Sequence, residues 1–475
     1  MTSPKPTAWL PDLIYADGRF QRDVALVSDD VGTIGRLAPA GEIDNPIRLS
    51  HRAILPGMVN GHSHAFQRVI RGRTEYGTGN QQDTFWTWRE MMYSAAARLT
   101  PEDIYDASRM AFLEMVLSGI TAVGEFHYLH NDPAGRPYDD PNLLARQVVR
   151  AAQDVGLRIT LLRVAYARSG FQTEPNPRQA RFIEKDAETY LQNVERLGRE
   201  LVDEREPPYG RAFVGIAPHS VRAVPLAYLR TVVDYADQYF LPVHMHVAEQ
   251  PAEVSACIQE YGRSPFALLE SEGLLSEHFT AVHAIHVTPK AIAGFGISAA
   301  MVCACPTTER NLGDGVMPAD AYLEAGVRIS LGTDSHTQID LLEDARELEY
   351  HLRLQRMERA VLYGGADSGR ASEKVSGLAA LLFDCATNSG AQSIGGYGGT
   401  LAVAAPADFF TVDLHDPAIA GASEDDLLAG IVFSASRSAV REVFVGGRQI
   451  VAEGQHADQE EIVERFNALQ KKLWS

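Results

Sequence analysis

Two histidines separated by one residue, His62 and His64, close the run Pro56-Gly57-Met58-Val59-Asn60-Gly61-His62-Ser63-His64. On an extended segment, residues i and i+2 point the same way, so both imidazoles can reach one metal ion. A chain with 15 histidines produces such pairs by chance, so this one gains weight only from partners elsewhere. Candidates recur. The run His244-Met245-His246-Val247-Ala248-Glu249 repeats the spacing and adds a carboxylate three residues after His246. Alternation does not choose between His244 and His246; one ligand and one hydrogen-bonded core histidine is the expected division, with His244 as the core residue. His283-Ala284-Ile285-His286 is a second ambiguous pair. Gly332-Thr333-Asp334-Ser335-His336 supplies an aspartate that, taken singly, reads as a helix N-cap. Together His62, His64, His246 and Asp334 make a three-nitrogen, one-oxygen donor set that suits zinc with water completing the site, and iron or manganese accepts similar ligands. Zinc lowers the pKa of its water to about 7. Glu249 is then placed to act as a general acid or base beside that water.

These residues need a scaffold that gathers them. From Ile54 to Ser335, short apolar runs rich in β-branched residues alternate with longer amphipathic segments, the pattern of parallel βα units. The predicted strands are 54–59, 121–128, 158–166, 212–218, 241–247, 280–286, 300–305 and 328–332. Eight of them point to an α/β fold, a (β/α)8 barrel of TIM type, whose active sites form at the C-terminal strand ends. The ionisable runs fall at those ends. The intervening segments carry helix punctuation: 101–118 opens with Thr100 as N-cap, Pro101 in first position and Glu102 and Asp103 in the first turn, and stops at Gly119. Similar signals mark 225–240, 251–261 and 289–295.

The flanks, 8–52 and 400–455, read instead as short antiparallel strands with turn signals such as Asp17-Gly18. Neither flank has enough strands for a stable sheet, so the two are expected to pair into a small composite β-sandwich. The expected division is a β-domain from 1–53 and 399–475 beside a catalytic barrel over 54–398. The stretch 364–374 is small, polar and glycine-containing, and reads as a loop.

Composition narrows the function. A chain of 475 residues, 45% of them hydrophobic, buries a large core. With 43 Lys+Arg against 62 Asp+Glu the net charge is -19, which opposes nucleic-acid binding. No stretch approaches the roughly 18 uninterrupted apolar residues of a membrane span, and the first residues hold no apolar signal region, so a cytoplasmic protein without membrane partners is expected. Four cysteines make no disulfide framework; the Cys303/Cys305 pair shares a strand face and reads as buried apolar residues rather than a metal site.

The Pro-Gly-x-x-x-x-His-x-His run, the His-x-x-Glu of the fifth strand, the sixth-strand His, the eighth-strand Asp and the late Ala407-Asp408-Phe409 resemble the amidohydrolase superfamily over nearly the whole chain. In that superfamily the aminohydrolase branch uses one metal, whereas two-metal members usually add a bridging Lys or Glu on an earlier strand. Strand four ends in Ala217-Pro218-His219-Ser220 without one, so one zinc per chain is expected. A closer resemblance, to the formimidoylglutamate deiminases, rests on five runs. They are His62 to Arg68, Phe85-Trp86-Thr87-Trp88-Arg89-Glu90, Glu125-Phe126-His127-Tyr128, Ala217 to Arg222, and Asp334-Ser335-His336. The resemblance implies hydrolysis of N-formimino-L-glutamate to N-formyl-L-glutamate and ammonia, a step of histidine degradation, by a homodimer. It implies that His62, His64, His246 and Asp334 hold zinc, that Glu249, His283 and Asp334 are catalytic, and that Gln67, Arg89, Tyr128, His219 and Arg222 contact substrate.

Charge agrees with a dicarboxylate substrate, which a chain of net charge -19 must bind through local cations. Arg89 and Arg222 are suited, since guanidinium pairs with carboxylate through two parallel hydrogen bonds. On its own, Arg89 after an aromatic run reads as a helix residue snorkelling to solvent. Tyr128 and His219 also admit a structural hydrogen-bonding role. In the expected chemistry activated water attacks the formimino carbon, Asp334 takes its proton, His283 orients it, and Glu249 protonates the departing nitrogen. The competing readings are a guanine, cytosine or triazine deaminase, whose flat neutral rings need base-edge hydrogen bonds, and a non-catalytic barrel paralogue. The latter predicts lost ligands, yet every expected position is filled.

Overall fold

A single dipeptide, Pro56-Gly57, divides two sheets. Up to Pro56 the chain runs in the strand Ile47–Pro56 of a mixed sheet, and from Met58 it begins a barrel. A side chain at 57 would put its Cβ 2.1 Å from Thr121 Oγ1, so only glycine lets the chain pass. The expected strand 54–59 therefore straddles the two sheets. The structure, a computed structural model, describes residues 7–77, 79, 83–201, 212–363, 377–396 and 398–475. The expected loop 364–374 lies outside the described residues.

The barrel strands are β1 (Met58–Ser63), β2 (Ile120–His127), β3 (Arg158–Ala165), β4 (Ala212–Pro218), β5 (Val243–Val247), β6 (Phe279–His283), β7 (Met301–Ala304) and β8 (Ile329–Leu331). They neighbour one another in chain order and run parallel. Every residue of β2 and β3 is buried, as strands covered on both faces require. Between the last and first strands the barrel nearly closes: Asp334 N–H donates to His62 O at 3.0 Å and His64 N–H to Asp334 O at 3.1 Å. The backbone thus clamps the eighth-strand aspartate directly against the first-strand histidines.

Two sequence signals act locally as read. Thr100 caps the helix Pro101–Leu117 in a reciprocal box with Asp103. Asp17 and Gly18, with φ of 52° and 78°, form a two-residue turn pairing Ala16 with Arg19. One boundary differs in a way that matters. β6 stops at His283 rather than 286, because His283 and Ala284 adopt φ of 68° and 48° and break the ladder. His286 is consequently off the strand, with Nε2 2.8 Å from Asp314 O.

The flanks join in one nine-stranded mixed sheet, since Ile47–Pro56 pairs parallel with Thr7–Ala16 and antiparallel with Phe409–Asp413. Trp9 stacks edge-on against Phe409 and Phe444 at its core, with ring centroids 5.1 and 5.4 Å away. Asp408 fastens this sheet to the barrel: its carboxylate accepts from Arg158 Nε at 2.9 Å and Nη2 at 3.0 Å, and both side chains are buried. No helix of the described residues is long and apolar enough to cross a membrane. All four cysteines are free and buried.

Candidate active site

The ends of β1, β5 and β8 bring His62, His64, His246 and Asp334 together, one donor atom of each lying within 4.8 Å of the others. The Nε2 atoms of His62 and His64 are 3.2 Å apart. Asp334 Oδ1 is 3.6 and 3.3 Å from them. Backbone carbonyls orient two of the rings: His64 Nδ1 donates to Phe126 O at 2.9 Å and His246 Nδ1 to His219 O at 3.0 Å. Both leave a bare Nε2 facing the cluster, the arrangement that outer partners impose on metal-binding histidines. Burial pushes His62 and His246 well below the ordinary histidine range, and His64 below it, which favours the neutral, ligating imidazole. Lone pairs this close are repulsive unless a cation lies between them, so the donor set fits a metal ion. His244 turns elsewhere, with Nε2 2.7 Å from Ser393 O.

Glu249 and His283 adjoin this cluster. Ala248, at φ 53°, turns the chain where β5 ends and takes Glu249 off the strand alternation. Glu249 Oε1 lies 3.7 Å from His283 Nε2, which is also 3.7 Å from Asp334 Oδ2. Burial raises the Glu249 carboxyl; His283 pulls it back, Asp334 adds to it, and the net shift is upward. Burial opposes a charged His283, but Glu249, Glu309 and Asp334 outweigh it and hold the imidazole well above its ordinary range. A carboxyl raised and an imidazole raised, side by side, can hand a proton across the site.

A cavity opens over these groups, and Gln67, Arg89, Tyr128, His219 and Arg222 all line it. Gln67 Nε2 donates to Tyr128 Oη at 2.9 Å, which leaves its Oε1 buried and without a partner. Arg89 does not snorkel. Its guanidinium stacks over Trp86 at 4.4 Å, and its Nε is buried and unpaired. Arg222 Nη1 likewise has no hydrogen-bond partner, while the rest of its guanidinium lies near the Tyr166 hydroxyl and the buried Glu253 carboxylate.

Sequence reasoning missed several neighbours. Tyr93, Tyr166 and Phe182 also line the cavity, and Gln179 donates to the two tyrosine hydroxyls at 2.8 and 2.6 Å. Tyr166 directly follows β3, so its strand-end position was a usable signal; Gln179 and Phe182 lie on a connection with none. Glu125, inside β2, braces the turn between the first two histidines by accepting from Ala65 N–H at 2.7 Å and from the Ser63 hydroxyl. Burial pushes its carboxyl up to about 8 despite those donors.

A family model described as "Amidohydrolase family" matches residues 53–450. The formimidoylglutamate deiminase of Pseudomonas aeruginosa is 40% identical over 97% of this chain and 96% of its own. A 5-methylthioadenosine/S-adenosylhomocysteine deaminase of Syntrophomonas wolfei is 28% identical over 92% of this chain and 90% of its own. Among solved structures, an amidohydrolase from Brucella melitensis superposes with a TM-score of 0.88 at 32% identity, covering 99% of this chain and 100% of its own. A zinc-bound adenosine deaminase from Xanthomonas campestris shares the fold, with a TM-score of 0.80 at 22% identity over 100% and 99% of the two chains.

Proposed function

The chain belongs to the amidohydrolase family, and from that premise we propose that it is a zinc-dependent deiminase hydrolysing N-formimino-L-glutamate to N-formyl-L-glutamate and ammonia, a reading supported by the Pseudomonas relative named a formimidoylglutamate deiminase. The observation that carries the substrate is the pair of guanidiniums, Arg89 and Arg222, that line one cavity, each keeping one buried nitrogen without a hydrogen-bond partner. Buried donors left unsatisfied are costly, so the cavity is built for a ligand with carboxylates to receive them. A flat neutral ring can stack on an arginine or accept its hydrogen bonds, but it brings no negative charge to balance two of them.

One zinc ion held by His62, His64, His246 and Asp334 would supply the Lewis acidity that makes water nucleophilic near neutral pH. The protein's own groups do the rest. Arg89 and Arg222 bind the two carboxylates, with Tyr128 and His219 shaping the wall beside them. Gln67 Oε1 accepts an N–H of the cationic amidine. Asp334 takes the proton of the attacking water, His283 Nε2 orients that water, and Glu249 Oε1 carries a proton to the nitrogen that departs as ammonia.

The test is ammonia release from N-formimino-L-glutamate, with guanine, cytosine, a triazine and simple amidines alongside and metal measured on the same sample. Turnover of a ring substrate with none of the formimino compound would overturn the reading. The proposal extends to a place in histidine degradation and to the division into a β-domain (1–53 with 399–475) and a catalytic domain (54–398). It also extends to a homodimer, to be checked by light scattering, and to a cytoplasmic location, which four free, buried thiols support.

A further inference from the structure

His283 has both ring nitrogens engaged, on opposite sides. Nε2 faces Glu249 and Asp334 across the cavity. Nδ1 points away from it, 3.2 Å from Oε1 of Glu309. Glu309 sits in the first turn of the helix Pro306–Leu312, is 1% exposed, and does not line the cavity. The same Oε1 accepts the Cys305 N–H at 2.9 Å, while the Glu309 amide donates to Cys305 O at 2.9 Å. The carboxylate is thereby pinned to the end of β7.

We propose that Glu309 is a positioning residue: it holds the Nδ1–H of His283 and so presents Nε2 to the reacting atoms. This rests on the reading of the site given above. A buried carboxylate only accepts, and its desolvation is offset only by donors, so a proton belongs on the Nδ1 that faces it. The partner of one ring nitrogen fixes what the other can do. The backbone agrees, because φ of 68° at His283 is a conformation that a histidine keeps only where its surroundings over-determine it. The rival is a second metal, since donor atoms of His283, Cys305 and Glu309 lie within 4.8 Å of one another. Against it, the Glu309 oxygen already accepts an amide proton, and neither Cys305 nor Glu309 lines the cavity through which an ion would enter.

The experiment is nitrogen-proton NMR of the zinc-loaded enzyme labelled at histidine. A hydrogen-bonded proton on His283 Nδ1 is expected in the wild type and in Glu309→Gln, whose amide oxygen still accepts, and is expected to vanish in Glu309→Ala. Kinetics should follow: kcat at least about tenfold lower in Glu309→Ala with KM and metal content unchanged, and largely restored in Glu309→Gln. A bare Nδ1 in the wild type overturns the proposal. So do two metal equivalents per chain with Nδ1 ligated, or a folded, one-metal Glu309→Ala with wild-type kcat. Should Glu309→Ala not fold, the wild-type and Glu309→Gln spectra decide. They need no substrate, so a wrong substrate assignment leaves them intact and is recognised separately.

Discussion

At the scale of single residues, the proposed roles divide into moving protons and holding the substrate, and substitution should separate them. Glu249 is not one of the four clustered donors and reaches them through His283, whose Nε2 is 3.7 Å from both Glu249 and Asp334, so Glu249→Gln is expected to lower kcat by about 10²- to 10⁴-fold, the usual weight of a general acid or base, with metal content retained. Near-wild-type turnover with metal bound would remove Glu249 from the mechanism. Arg89 and Arg222 belong to the other class. Replacing either with Met should raise KM about ten- to a hundredfold, the worth of a hydrogen bond to a charged partner, and leave amidines without carboxylates unaffected. Steady-state kinetics on both substrate types checks this, and an equal effect on both would mean the arginines do not read the carboxylates.

At the scale of elements, positions where strands touch are the sensitive ones. A Cβ at Gly332, just after β8, would come within 2.7 Å of His62 Cβ and 2.9 Å of His62 O. Gly332→Ala should therefore wedge the barrel open where it nearly closes and cost about 1–3 kcal/mol. Metal occupancy should fall with it, measured by chelator competition beside a denaturant titration. β3 carries a second, titratable support. Arg163, fully buried, pairs through two nitrogens with Glu184. Burial alone would raise the Glu184 carboxyl, but Arg163 and His130 outweigh it and depress it to about 2. A depressed folded-state value contributes stability above the ordinary 4.5, and that contribution is lost as pH falls from there through about 2. It amounts to about 3 kcal/mol. Glu184→Gln should flatten the stability profile across that acid window while destabilising the protein at neutral pH, because Arg163 then stays buried without its counter-charge, only its Nε still held by Asn142 Oδ1 at 2.9 Å. An unchanged slope between pH 4.5 and 2 would contradict this assignment.

At the scale of the whole molecule, buried contacts couple the barrel to the mixed sheet, and the donor cluster ties strand ends together within the barrel. Metal bound to the folded state alone stabilises by mass action, about 4 kcal/mol at a thousandfold excess over Kd. Removing it with a chelator should lower Tm, and zinc should restore it; a Tm indifferent to both would argue against a metal at His62, His64, His246 and Asp334. Asp408 joins the two sheets, its carboxylate pairing with the buried guanidinium of Arg158.

The rhythm of apolar runs made the barrel legible, because a parallel strand covered on both faces needs an unbroken apolar segment wherever it sits. The Thr100 cap and the Asp17-Gly18 turn were legible for the same reason, their chemistry being complete within a few residues. Alternation could nominate His244 and His246 but not divide their work, since that depends on depth along the barrel axis: His244 meets a carbonyl 149 residues away. The aim of Arg89 into the cavity depends on aromatic packing against Trp86, and the presence of Glu309 behind His283 depends on how β6 and β7 stack. A sequence records local periods and turn chemistry residue by residue. Which side chains finally share a proton, a carboxylate or a metal is decided where distant strand ends meet, and only the folded chain contains that distance.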